Sequence, residues 1–399
     1  MKVKELSGGI DVGSEFHHVV VIDNEGKVLY DKRVLHRFRE FYGVVKELKE
    51  AERKAGGEIS FGIEGKNGYG APFDRVLSES GFNLYNIDNL KLKRFRNIFG
   101  AEWKSDRRDA RMLAKLMKLR SQLNGEGEKA FIPVCKVPIV HEKLKLLSRH
   151  QRTLINEKVR MCNRLRKKLL EVCPGILDII GEVGSKKSLR ILIRYPNFSR
   201  YKRITREKLL RIEGIGRVGA EKIIGSLQRL EYVKELVDVY ATVIQSQAKR
   251  ILELKEEIEL LNKKLDEFGA GSKEVQRLRS IPGVGTKLSS RLIGEIGDIH
   301  RFRDANQLAI YCGVGCIDDD SGKRKMAKAV FKANKICKRV MVDIAGCTIR
   351  FISESRVYYT KKRREGKKHN HALRCLARQM IKVIFKLLVE ERDYYVMNE

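Results

Sequence analysis

The chain has 399 residues, 42% of them apolar, which is enough for two or three domains with real cores and too much for a disordered protein. Its 83 Lys and Arg outnumber 51 Asp and Glu, and the resulting +32 exceeds what solubility requires and points to phosphate-rich partners. Eight cysteines without a CxxC pair, no secretion signal and no apolar run of about 18 residues argue against a disulfide scaffold and a membrane span, so reduced thiols and a cytoplasmic location are expected.

The first stretch, GGIDVGSEFHHVVVID, reads as a strand bearing Asp11. Asn24 to Gly26 makes a turn and KVLYDKRV returns, giving a hairpin. A helix is expected from Glu40 to Lys54, then a strand in ISFGIEGKNGYG with Glu64 near its end. A helix over Pro72 to Ser80 and the strand FNLYNID complete an α/β pattern, in which the Asp11 and Glu64 strands are expected side by side.

The segment KSDRRDARML, residues 104–113, sets Asp106 and Asp109 three apart, on one face of a helix. Between Lys91 and Arg120 there are eleven Lys or Arg against three acids, so two mutually repelling carboxylates stand where a polyanion is attracted. A solvated helix with ordinary charge pairs is one reading of that stretch. The other is that the helix crosses the ends of the Asp11 and Glu64 strands and four carboxylates converge. Such a cluster suits a pair of divalent metals clamping an in-line phosphoryl displacement, and Mg2+ is the hard cation that prefers oxygen ligands. Lys104, Arg107 and Arg108 are then nucleic-acid contacts.

Helices are expected over residues 140–172 and 230–268. In the second, every third or fourth residue from Leu230 to Phe268 is apolar, Gln247 excepted, which makes a coiled-coil seam. Two antiparallel helices within one chain would bury such a seam, but its length favours self-association into a homo-oligomer. The turns RIEGIGRVGAEKI and RSIPGVGTKLSS resemble helix-hairpin-helix turns, whose exposed amides accept phosphate without base contact.

Toward the C-terminus, Ser321 to Arg378 holds eighteen Lys or Arg against three acids, a nucleic-acid surface that opens with Lys323, Arg324 and Lys325. Ser321-Gly322 after three aspartates is by itself a turn. Cys312 and Cys316 lack a second ligand pair for zinc and read as small hydrophobes.

Strand Asp, strand Glu and a helical Asp pair is the order of ribonuclease H-like nucleases of the RuvC kind. In more detail, GIDVGSEFHHVVVID, GIEGKNGYG, IDNLKLKRF and KSDRRDARMLAKL at one end resemble the DEDD-type transposases of the insertion-sequence family numbered one hundred and ten. So do IPGVG with GDIHRFRDANQLAIYCGV, Ser321-Gly322 and KKHNHALRCLARQMIKVIF at the other end, and the resemblance spans about Gly8 to Leu388. The chain departs from the pattern in a Glu64 loop one residue longer, in Asn89 where proline is common, and in Ala333-Asn334 where the family has Gly-Asn.

The resemblance implies an α/β plus α architecture: an N-terminal ribonuclease H-like (RuvC-like) domain over residues 1–125, a helical and coiled-coil region over 140–272, and a mostly helical C-terminal transposase domain over 273–390 with a helix-hairpin-helix-like turn. It further implies a DNA transposase or recombinase of a mobile element. Ser321 would form a 5′-phosphoserine link, Mg2+ would be held by Asp11, Glu64, Asp106 and Asp109, and the partners would be DNA, a structured guide RNA and further copies as a dimer or tetramer. Two alternatives share these features: a RuvC-like metal-dependent junction nuclease that uses water, and a non-catalytic RNA-binding scaffold of a ribonucleoprotein.

Overall fold

The computed structural model describes residues 4–64, 68–87, 92–95, 105–120, 131–227, 230–321, 324–329 and 333–395. They belong to two compact units, Met1–Lys136 and Val137–Glu399, and the second contains both the expected coiled-coil and the expected C-terminal segments. The first is mixed α/β and the second is almost entirely helical.

In the first unit the sequence expected as one strand is two. Gly13 turns the chain back, its N–H donating to the Phe16 carbonyl at 3.1 Å, so β1 (Lys4–Val12) and β2 (Phe16–Ile22) pair antiparallel with Asp11 opposite His18. A second turn follows as expected, with the Asp23 carboxylate accepting the N–H groups of Glu25 and Lys27, and leads to β3 (Val28–Leu35), antiparallel to β2. A three-stranded meander therefore replaces the expected hairpin.

After α1 (Phe38–Ala55) the strand β4 (Gly57–Glu64) returns beside β1 and parallel to it, with Ile10 opposite Ile63. Then come α2 (Ala71–Glu79), β5 (Asn83–Ile87) parallel to β4, α3 (Asp106–Arg120) and the short antiparallel edge β6 (Phe131–Pro133). The resulting sheet has the order β3-β2-β1-β4-β5-β6.

Both faces of this sheet are covered, which is why Val19 to Ile22 is an unbroken apolar run. On one face α1 presents Phe41, Val44 and Leu48, at helical spacing, to Leu6, Ile10, Phe61 and Phe73. On the other face lies α3, seated where β1 and β4 lack side chains. A Cβ on Gly9 would stand 2.0 Å from the Ala110 carbonyl oxygen, and one on Gly62 would stand 2.8 Å from Met117 Cγ. Gly9 thus lets the α3 backbone approach the sheet, and Gly62 leaves room for the Met117 side chain.

The second unit is built on two 34-residue helices, α4 (Ile139–Val172) and α9 (Val237–Ala270). Gln151 bonds Asn262 near one end and Tyr240 bonds Glu171 at 3.0 Å near the other, so the helices run antiparallel. Leu254, Ile258 and Leu261 of α9 are buried with Leu154 of α4. Burying each such side chain is worth roughly 1.5–3 kcal/mol.

The buried apolar residues of α9 thus pack within the chain, against α4 and other helices of the same unit, which is the intrachain arrangement that the sequence also allowed. Leu230 and Val233 precede α9, and the buried line passes through Ala248 rather than Gln247. The helix also packs against α6, which draws the line toward small Ala248.

Between the long helices, α5 (Ile176–Ile180), α6 (Lys186–Arg194), α7 (Arg206–Leu210) and α8 (Arg217–Leu227) enclose a core around Phe198 and Tyr201. After α9 come α10 (Lys273–Arg279), α11 (Thr286–Ile296) and α12 (Ala305–Tyr311). The hairpin β7 (Cys316–Ser321) and β8 (Arg324–Ala329) follows, then α13 (Lys335–Phe351), α14 (Ser353–Arg364) and α15 (His369–Val389). Leu292, Met341, Ile344, Ile381 and Ile384 form their core. No helix among the described residues is long and apolar enough to cross a membrane.

Candidate active site

Asp11 is the penultimate residue of β1 and Glu64 the last of β4, and the parallel register puts them at neighbouring strand ends. Side chains alternate along a strand, so Asp11 shares the face of Gly9, and Glu64 that of Gly62. That is the face on which α3 lies. The first turn of α3 carries Asp106 and Asp109; Asp109 is 6% exposed, whereas Asp106 is open to solvent. Both carboxylates sit at the positive end of the helix, which favours their charge.

The four carboxylates therefore belong to one side of one sheet, but among the described residues no group of three or more His, Cys, Asp or Glu stands ready to hold a metal ion. Their donor chemistry does fit a hard divalent cation: all are carboxylates, and Asp109 is enclosed beside the strand of Asp11.

Two neighbours were absent from the sequence expectations. His18 lies directly across from Asp11, and its Nε2 meets Asp31 Oδ1 at 2.8 Å. Arg107 Nε donates to the other Asp31 oxygen at 2.7 Å. Burial alone would push the Asp31 carboxyl up, but the hydrogen bonds from His18 and Arg107 outweigh it and hold the group below its usual range. An ionised carboxylate only accepts, so His18 carries a proton on Nε2.

Arg107, expected on nucleic acid, is thus engaged with Asp31. Arg108 is exposed, with its backbone N–H directed at Ser105 Oγ, 3.4 Å away. Lys104 and Lys323 lie outside the described residues.

In the second unit Ser321 ends β7 and pairs with Arg324, while Asp320 pairs with Lys325. The root of this hairpin is clamped. Asn334 donates its backbone N–H to the Tyr311 carbonyl at 2.8 Å, and its Oδ1 caps α13 by accepting the N–H groups of Ile336 and Cys337 at 3.0 and 3.1 Å. Ala333 in place of the family's glycine therefore leaves a regular helix start. Asn334 Nδ2 also reaches Glu295 at 2.7 Å, and Arg149 of α4 grips that same carboxylate with Nε at 2.6 Å and Nη2 at 2.8 Å.

The two glycine turns follow one path. Gly214 and Gly283 have φ of +90° and +85°. Ile215 N–H bonds the Ile212 carbonyl at 3.1 Å, and Val284 N–H bonds that of Ile281 at 3.0 Å. Cys312 is fully buried, as expected of a small hydrophobe, and the side chain of Cys316 lies outside the described residues. His369 pairs with the Tyr359 hydroxyl at 2.7 Å at the start of α15, in keeping with a polar helix entry.

Residues 8–174 match the DEDD transposase family model of IS110 type, and residues 275–360 match the transposase IS116/IS110/IS902 family, so that matched residues from both units span well over half of the chain. The chain belongs to the IS110 transposase family. Relatives align nearly end to end. The 44.8 kDa protein of insertion element IS116 from Streptomyces clavuligerus is 25% identical over 390 residues, covering 96% of this chain and 94% of the relative. The 43.6 kDa protein of insertion element IS110 from Streptomyces coelicolor is 24% identical over 97% of this chain and 94% of its own length. The transposase for insertion sequence element IS1111A of Coxiella burnetii is 20% identical, over 97% and 90%. In this transposase the first match contains Asp11, Glu64, Asp106 and Asp109, and the second contains Ser321 and Glu295.

Proposed function

We propose that this transposase cuts and rejoins DNA, with Ser321 as nucleophile and with Asp11, Glu64, Asp106 and Asp109 as the carboxylates that hold Mg2+ in a ribonuclease H-like (RuvC-like) first unit. The observation that carries this reading is the Asp11–Glu64 juxtaposition on parallel strand ends, on the sheet face that carries the Asp106–Asp109 helix. Bound Mg2+ would supply Lewis-acid stabilisation of the charge that builds on the phosphate.

The step assigned to the serine balances simply. The Ser321 Oγ–H bond breaks as Oγ bonds to phosphorus, the bond from phosphorus to the 3′ oxygen breaks, and the proton ends on the departing 3′ hydroxyl. The 5′-phosphoserine ester conserves the bond energy, so attack by another strand's 3′ hydroxyl rejoins DNA with no external energy source. Asp31 occupies one face of Arg107, so the phosphate contacts are assigned to Lys104, Arg108, Lys323, Arg324 and Lys325. The +32 charge also suits a structured guide RNA as second polyanion.

The test is strand exchange by Asp11→Asn, Asp106→Asn and Asp109→Asn proteins, with DNA binding measured alongside. Loss of several kcal/mol of charge stabilisation lowers exchange by roughly a hundredfold or more, with binding retained. Glu64→Gln behaves in the same way. Near-normal exchange by the Asp11→Asn protein would refute the carboxylate assignment.

A further inference from the structure

Asp31 is the middle of a bridge across three elements beside the carboxylates. From β3 it accepts a hydrogen bond from His18 on β2 at 2.8 Å and another from Arg107 on α3 at 2.7 Å. His18 is the residue opposite Asp11, so their Cβ atoms stand about 4.5–5.5 Å apart. Arg107 is in the first turn of α3, between Asp106 and Asp109. One carboxylate therefore ties the strand neighbour of Asp11 to the helical turn that bears the other two acids.

Contact at Gly9 and Gly62 sets how closely α3 approaches the sheet, and Ala110, Leu113, Ala114 and Met117 pack its middle against Val20, Ile22, Ile87 and Phe131, all beyond the first turn that bears Asp106. At the far end Arg120 donates to Glu5 of β1 at 2.9 Å and lies over the Tyr85 ring at 3.9 Å. Asp31 supplies the matching restraint at the carboxylate end, where a small rotation changes which oxygens face Asp11 and Glu64.

We propose that Asp31, through His18 and Arg107, is a positioning residue that sets the first turn of α3 so that Asp106 and Asp109 complete a divalent-cation site with Asp11 and Glu64. This rests on the carboxylate reading above. It assigns Arg107 to the metal requirement of the enzyme and away from phosphate contact.

The experiment measures binding of Mn2+ alone to the full-length protein by calorimetry, for wild type, Asp31→Asn, Arg107→Gln and Asp11→Asn. Loss of a partner that orients ligands weakens metal binding by about 10–100-fold. Asp31→Asn and Arg107→Gln are expected to show that loss, and to raise by the same factor the Mg2+ needed for half-maximal strand exchange. The rate at saturating Mg2+ and the salt dependence of DNA binding stay near wild type. Arg107→Gln, an exposed position, carries the test if Asp31→Asn folds poorly. Wild-type Mn2+ affinity in both variants, with Asp11→Asn defective, would overturn this inference and leave the carboxylate site standing. Wild-type Mn2+ affinity in Asp11→Asn would overturn the carboxylate site itself.

Discussion

Asp31 in the first unit and Glu295 in the second are each held by an arginine and one further donor, but one is on a rim and the other is sealed. The Glu295 side chain is fully buried, doubly bound by Arg149 and bound again by Asn334, and its backbone carbonyl accepts from the Tyr311 hydroxyl at 2.8 Å. The Asp31 side chain is 17% exposed, and the Arg107 that holds it is 71% exposed. Removing Glu295 leaves the Asn334 amide without its acceptor inside the core, although Arg149, 47% exposed, can turn to water; on the rim, water reaches Arg107 more fully. Glu295 is thus a condition for joining α4, α11, α12 and α13. Asp31 is a condition for the geometry of a site.

The largest effect expected from this contrast is Glu295→Ala, which leaves the Asn334 amide without its acceptor and frees Arg149 to turn to water. Loss of about 1–3 kcal/mol is expected from urea unfolding, and a loss below roughly 0.5 kcal/mol would mean that the buried acceptor contributes little. Glu295→Gln, which keeps an acceptor oxygen, loses less. Asp31→Asn should cost only about 1 kcal/mol in the same assay, because Arg107 remains solvated and the Asn oxygen can still accept from His18.

pH separates the two units further. His17 is buried between the rings of Phe41 and Phe73, and burial first, then the neighbouring His36, lowers its pKa to about 4. Below the unfolded value near 6.5 the unfolded chain takes up this proton and the folded one does not, so stability falls as pH drops from about 6.5 to 4. The loss is on the order of 3 kcal/mol, and His17→Phe removes it.

Glu295 and Asp31 are both lowered despite burial, by their hydrogen bonds from Arg149 and Asn334 and from His18 and Arg107. Their stabilisation is complete above the unfolded carboxyl values of roughly 4 and is lost as pH falls through the folded ones. Unfolding followed by a probe in each unit should therefore show a limb between pH 6.5 and 4 in the first unit that the second lacks. Identical limbs in both would refute the His17 assignment.

The smallest effect is on nucleic-acid affinity. Replacing Arg108 or Arg324 by Gln should reduce the slope of log affinity against log salt by roughly 0.9 each on duplex DNA, and Arg107→Gln should leave it unchanged. A slope that drops for Arg107 as well would return that residue to the binding surface.

Much of the first unit was legible in the sequence because its signals are local: Asp106 and Asp109 at helical spacing, and Glu64 closing an apolar run. The turn at Gly13 was missed because Gly-Ser-Glu lies inside a stretch otherwise rich in β-formers. With the turn went the register that sets His18 against Asp11, and hence the role of Asp31, which is 13 residues from His18 and 76 from Arg107. In the second unit the long helices were readable from their period. The partner of the seam was not, since α4 and a second copy would satisfy the same apolar stripe, and the exact line was misread because Ala248 is too small to register as an apolar anchor.

Catalysis through the proposed nucleophile Ser321 is tested most directly by looking for DNA joined to the protein. Wild-type and Ser321→Ala proteins are mixed with both DNA partners, guide RNA and Mg2+, and the products are separated on a denaturing gel. A protein-linked DNA band in the wild type that is absent from Ser321→Ala, with nucleic-acid binding retained, is the expected result. Free nicked DNA from both proteins in equal amount, with no linked band, would contradict it and leave a nuclease that uses water.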